Sequence, residues 1–158
     1  MNDIGRQLRD NLVAITSLVV ALSALGYNTW RNELTERNRN IRAAGIEMLQ
    51  EIGSLQQIVF YAHFEEREDD EEFDPRGDPR MGWVDVFTIN DLAAMMTAET
   101  ERDAARLRAV WEADSDKLIV DREAEATELA ESSAAFQRID GAIEELRKTT
   151  LAALRALR

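Results

Sequence analysis

The chain has no cysteine, and only one of its 158 residues is a histidine. Without cysteine it can form neither a disulfide nor a thiolate metal site. A single histidine also excludes the common zinc sites and most nucleophilic triads. Neither Gly-rich phosphate-binding pattern, GxxxxGK[ST] or GxGxxG, occurs. We therefore expect no enzyme activity, no catalytic residue, no cofactor, no metal and no small-molecule substrate.

Positive charge is scarce: 19 Lys and Arg residues face 31 Asp and Glu residues, which leaves a net charge of −12. Residues 1–30 carry two arginines and two aspartates, so the whole net charge belongs to residues 31–158. Proteins that bind nucleic acid need a basic surface against the phosphates. Nucleic acid is therefore not a predicted partner.

Charge of either sign is absent from Asn11 to Trp30, twenty residues that follow a short tail, 1–10. A helix of that length spans about 30 Å, the thickness of bilayer hydrocarbon. Tyr27 and Trp30 stand where interfacial aromatic residues belong. The segment predicts a transmembrane helix; a cleaved signal peptide and a buried core helix are the alternatives. Ser17, Ala21 and Ala24 share one face, which favours packing against a partner helix.

Beyond the span, residues 31–64 and 121–157 each carry apolar or small residues in steps of three and four, as in a heptad. In the first segment these positions, named the inner stripe, are Ile41, Gly45, Met48, Ile52, Leu55, Val59 and Ala62. In the second they are Leu129, Ser132, Phe136, Ile139, Ile143, Leu146, Thr150, Ala153 and Leu157. As helices the segments measure about 51 and 55 Å. Their similar lengths predict an antiparallel hairpin of long helices.

The segment between these helices divides into three parts. Residues 65–82 begin with eight acidic residues between positions 65 and 74 and then hold four Pro or Gly residues, which predict a solvated loop and not a calcium site. Residues 83–98 are rich in aromatic residues and methionine; a short helix is predicted from Thr88, and the segment is expected to fold over the end of the first helix. Residues 99–158 complete the C-terminal helices. The predicted fold is all-α: a single transmembrane helix continuing into a hairpin, or a bundle of three to four helices.

Two groups of side chains are candidates for binding, although the aromatic group is equally readable as core. The candidate partner surface is Phe60, Tyr61, Phe64, Trp83, Phe87, Met95 and Met96. The candidate membrane-surface cations, expected to meet at the membrane end of the hairpin, are Arg31, Arg37, Arg39, Arg42, Arg147, Lys148, Arg155 and Arg158. His63 lies among aromatic residues and is expected to be structural.

The excess of cations after the span favours a cytoplasmic domain on a bacterial inner membrane. Three functions fit this layout. The first is an accessory or scaffold protein that binds membrane lipid and a partner membrane protein or complex. The second is a periplasmic bundle that senses a ligand near His63, Tyr61 and Trp83. The third is a coiled-coil protein that self-associates at the membrane surface.

Overall fold

A computed structural model gives the fold of residues 3–64, 77–120 and 124–157, with side chains described from residue 11 onward. Four α-helices account for nearly all of these residues, and no strand occurs among them. They are α1 (Asp3–Phe64), α2 (Pro79–Ala93), α3 (Ala98–Asp114) and α4 (Ala126–Ala156), with a 3₁₀ turn at Ser115–Lys117. The expected all-α class and the long N-terminal helix are confirmed.

The chain divides into two compact units, Met1–Arg39 and Asn40–Arg158. The described part of the first unit consists of the N-terminal part of α1 alone. The second unit contains the rest of α1 together with the three other helices, and it holds the hydrophobic core. The boundary between the units falls inside α1, which is an uninterrupted helix at that point.

In the second unit, residues progressively later in α1 contact residues progressively earlier in α4. Thr150 Oγ1 lies 3.2 Å from Met48 Sδ, Gln56 Nε2 donates to Asp140 at 3.1 Å, and His63 Nδ1 lies 3.3 Å from Ser132 Oγ. Helix α2 also packs along α1. These contacts explain why all seven residues of the inner stripe are buried.

Helix α2 begins earlier than the sequence predicts. Pro79 and Gly82, expected in a loop, lie in its first turn, and Thr88, expected to open a helix, lies in its interior. The reason is local: Asp78 Oδ1 accepts a hydrogen bond from the Arg80 backbone N–H at 2.9 Å, and Pro is well suited to the first helical position. Residues 65–76, which hold the acidic run, lie outside the described residues.

Gly82 is fixed by packing. A Cβ built on it would clash with Trp111 Cζ2 and lie 2.7 Å from Cη2 of the same ring. Trp111 is fully buried in the last turn of α3, so the absence of a side chain at Gly82 on α2 lets the two helices approach across the indole. A glycine interpreted as a helix breaker therefore acts as a packing residue.

Helix α4 starts at Ala126, and not at residue 121 as expected. Leu129, assigned to its apolar stripe, is exposed. The buried stripe begins one step later at Ser132, whose hydroxyl donates to the Leu118 carbonyl at 3.2 Å. The first turn of α4 thus lies outside the core, and its leucine is not a member of the core cluster.

Candidate membrane and partner surfaces

The predicted membrane span is an exposed apolar helix. Its ten large apolar side chains between Leu12 and Trp30 are each 52–73% exposed. Helix α1 contains a window that is long and apolar enough to cross a membrane, and none of that window is buried. A core helix of a soluble protein passes the same test of length and composition, but it is mostly buried. The exposure therefore disfavours that alternative, whereas a signal sequence remains compatible with it.

Polar side chains within this segment satisfy their hydrogen bonds locally. Thr16 Oγ1 donates to the Leu12 carbonyl at 2.8 Å, and Thr29 Oγ1 donates to the Leu25 carbonyl at 2.9 Å. In hydrocarbon an unpaired hydroxyl is costly, and this bond to the preceding turn removes that cost. Ser17, Ala21 and Ala24 are exposed, as is every residue from 11 to 30.

Three of the seven candidate partner residues border a shallow groove at the end of α1. Phe60, Tyr61 and Phe64, with Gln57, line a volume of about 450 Å³. Phe60 and Phe64 stack on each other with ring centroids 5.7 Å apart and remain exposed. The lining is apolar and open at the surface, so the groove is suited to an apolar side chain of another molecule.

An aromatic layer behind this groove holds His63 in place. The imidazole stacks on Phe136 of α4 at 4.5 Å, and its Nδ1 lies within hydrogen-bonding distance of Ser132. Burial lowers the pKa of His63 from its usual range, so the ring is neutral at physiological pH. These contacts are those of a structural residue.

Trp83 and Phe87 form a second group on α2. Their rings stack at 5.4 Å, and the guanidinium of Arg108 on α3 lies 5.2 Å from the Phe87 ring centre. The neighbouring Met81 and Val84 are also exposed, and sequence reasoning did not assign them to a surface. Met81, Val84 and Phe87 recur every three residues, and this spacing in the sequence could have identified them as one surface.

Met95 and Met96 lie away from both aromatic groups. Met96 Cε would lie 3.0 Å from a Cβ built on Gly45, and Gly77 lies against the Tyr61 backbone. Residues 77–96 therefore extend along α1 from its end back to Gly45, and they do not cover only its end as expected. The candidate partner residues form separate patches for this reason.

The candidate cations differ in their exposure and in the contacts that they make. Arg31, Arg37 and Arg39 are exposed in the first unit, and Arg158 lies outside the described residues. In the second unit, Arg42, Lys148 and Arg155 are exposed. Arg147 is held by Gln56 Oε1 at 2.6 Å and by Glu144 at 2.7 Å. Its guanidinium therefore braces α4 against α1.

Two buried aspartates have opposite electrostatic settings. Asp114 accepts hydrogen bonds from Arg138 at 2.7 and 2.8 Å and from Lys117 at 2.8 Å, and these partners hold its pKa well below the usual range. Burial raises the pKa of Asp85, whose Oδ2 has no hydrogen-bond partner. Burial, with Asp85 and Glu47 nearby, also raises the pKa of Glu51.

Neither aspartate belongs to a recognisable reactive site. Across residues 11–64, 77–120 and 124–157, no three Asp, Glu or His side chains are placed to hold a metal ion. In the comparisons with known proteins, no family model matches the chain, and no curated protein or solved structure is significantly similar to it. The functional argument therefore depends on the surfaces described above.

Proposed function

We propose that this chain is a non-enzymatic, single-pass membrane protein whose helical bundle holds a partner membrane protein or complex. One observation supports this proposal most strongly. The ten large apolar side chains between Leu12 and Trp30 are exposed, and the helix that bears them continues into the unit that contains the core. Exposing such side chains to water costs roughly 1.5–3 kcal/mol each, and lipid removes that cost. In this proposal Asn11–Trp30 is the anchor.

The proposed soluble part is a four-helix bundle in which α1 and α4 form an antiparallel hairpin. The contacts of Met48, Gln56 and His63 with α4 support this arrangement, because they pair the two helices in opposite order. The excess of Lys and Arg after the anchor favours a cytoplasmic bundle on a bacterial inner membrane. Among the candidate cations of the second unit, Arg42 and Arg155 are exposed and available to lipid headgroups, whereas the exposed Lys148 lies 3.8 Å from Glu145.

A pair of experiments tests the proposal. A reporter fused to the C-terminus reports its side of the membrane, and we expect a cytoplasmic signal. Purification of the full chain in mild detergent should then recover a partner membrane protein, and a Phe60→Ser, Phe64→Ser variant should lose it. Val84→Ser, on α2, is the matched control. A partner-free chain, or one whose partner is unaffected by the double change, contradicts the scaffold role.

The groove beside Phe60 and Phe64 favours a second candidate, a bundle that senses an apolar ligand on the periplasmic side. This candidate requires the opposite topology. A cytoplasmic reporter signal therefore eliminates it, whereas a periplasmic signal eliminates the cytoplasmic scaffold.

A further inference from the structure

Helix α1 has a second face in the bundle that α2, α3 and α4 leave exposed, although Phe60 and Phe64 at its end also contact Phe136 of α4. Its members recur in steps of three and four, and all are exposed and uncharged. We name this set the outer stripe: Ala43, Ile46, Gln50, Gly53, Gln57, Phe60 and Phe64. This is a heptad repeat lying beside the buried inner stripe. The heptad seam used inside the chain is thus not the only one that α1 carries.

The outer stripe is unusual for its surroundings. Residues 31–158 carry the net charge of −12, yet none of its seven positions is charged. It extends over 22 residues, which is three heptads or about 33 Å of helix. Three heptads is the length at which apolar a and d positions begin to indicate a coiled coil, and four of the seven positions here are apolar. A second copy of the same face can approach it without meeting like charges in the seam.

Gly53 has no packing role within the described bundle. A Cβ built on Gly45 would lie 2.7 Å from Leu154 Cδ2, so α4 explains that glycine, whereas a Cβ on Gly53 would meet nothing within 4 Å. Glycine in a helix interior weakens the helix. At an exposed seam position it also permits a close approach of another helix backbone.

The charges that flank the stripe are complementary to a parallel copy. If the outer stripe supplies the a and d positions, Arg42 occupies a g position and Glu47 the e position five residues later. Those two positions form ion pairs between parallel chains. Both side chains are exposed. The later e and g positions, up to residue 61, are all uncharged. They are Leu49, Ser54, Gln56 and Tyr61.

We propose that the outer stripe binds the outer stripe of a second copy, with the two α1 helices parallel. The parallel direction rests on the proposed function, because two copies anchored in one membrane point the same way. Counted back along the sequence, the same register crosses the charged Arg39 and Glu36, then two uncharged polar positions, and reaches Leu25, Leu22, Leu18 and Ile15. Shared anchoring also raises the effective concentration of the copies, so a modest interface suffices.

Cysteine cross-linking of the full chain in membranes tests this arrangement, since the chain contains no native thiol. In a parallel pair, residue 46 faces residue 46 of the other copy. We expect Ile46→Cys to give a covalent dimer on mild oxidation. The control is Val84→Cys, which is similarly exposed but lies on α2. A monomeric Ile46→Cys, or equal linking by Val84→Cys, overturns the proposal.

Charge reversal identifies the partner as a second copy. Arg42→Glu and Glu47→Arg each turn two attractive pairs into two repulsive ones, so each should weaken the dimer about tenfold in detergent. The double variant restores both pairs and should restore the dimer. Arg106→Glu on α3 is the control, and circular dichroism checks folding. If the double variant stays monomeric, these residues do not face each other and the pairing is wrong.

The outcomes also separate this inference from the proposed function. A chain that remains in the membrane fraction but is monomeric in every variant refutes the pairing and leaves the anchor intact. A chain absent from the membrane fraction refutes the anchor, and with it the reason for a parallel direction.

Discussion

The two units of the chain contain similar apolar side chains in opposite settings. Leu18 is 60% exposed in the first unit, whereas Ile52 and Leu55, on the same helix, are fully buried in the second. The difference lies in the presence of α2, α3 and α4, which cover one segment of α1 and supply no cover to the other. Both segments of α1 are therefore helical. They differ in what surrounds their apolar side chains. In the proposed function the first unit enters lipid, and the second makes its own core.

The largest effect expected from this comparison concerns one apolar residue from each unit. Ile52→Ala should lower the free energy of unfolding of the bundle by about 2–5 kcal/mol, since it opens a cavity among fully buried side chains. Leu22→Ala should leave that free energy unchanged. Urea unfolding followed by tryptophan fluorescence measures both. Equal losses would show that the two segments share one core.

A smaller effect is expected from the bundle's packing glycine. Gly82→Ala should lower the free energy of unfolding by about 3 kcal/mol, at the upper end for overpacking, because the new methyl group meets the rigid Trp111 ring. Gly53→Ala is the matched control in an open position, and it should raise stability by up to about 1 kcal/mol. A tolerated Gly82→Ala would mean that α2 and α3 are further apart than the structure places them.

The third effect concerns the ion-paired aspartate. Asp114→Asn should lower the free energy of unfolding at pH 7 by about 1 kcal/mol, after allowance for solvent screening. Because Arg138 and Lys117 depress its pKa, the contribution of Asp114 is present above about pH 4, the usual value in the unfolded chain, and is lost as the pH falls. Denaturant titrations should therefore show a smaller difference between variant and parent at pH 3 than at pH 7. A constant gap would contradict the role of the charge.

The smallest effect has the opposite sign. Asp85 has a raised pKa, so its contribution to stability is present below about pH 4 and is lost as the pH rises through its folded-state pKa. Asp85→Asn should therefore raise the free energy of unfolding at pH 7 by about 0.5 kcal/mol and bring little gain at pH 4. The same titrations detect it. Destabilisation at pH 7 would show that the ionised carboxylate is stabilised by its surroundings.

Periodicity predicted the parts of the fold that depend on a single helix. The inner stripe is buried at every one of its positions because steps of three and four align side chains on one face, whatever covers them. The all-α class followed from the same signal. Gly82 shows where this reasoning fails, since it was expected in a loop but lies in α2, where it packs against Trp111.

The candidate surfaces were less predictable because they depend on how helices pair. The sequence singles out the aromatic residues as candidates, but their division into a groove at Phe64, a stack at Trp83 and a contact at Met96 follows from the path of α2 along α1. The outer stripe was missed for a related reason. Ile46, Phe60 and Phe64 are spaced by Gln50, Gly53 and Gln57, so the set is recognisable only when the inner stripe is known to be covered.

Alkaline extraction of membranes that contain the full chain tests the central claim most directly, because it strips peripheral proteins and leaves spanning helices in place. The account predicts that the unaltered chain stays in the membrane pellet, whereas a chain with Leu18→Arg and Leu22→Arg is released, since each central arginine costs about 2.5–3.5 kcal/mol on insertion. Release of the unaltered chain, or an N-terminus beginning after Trp30, would contradict an uncleaved anchor.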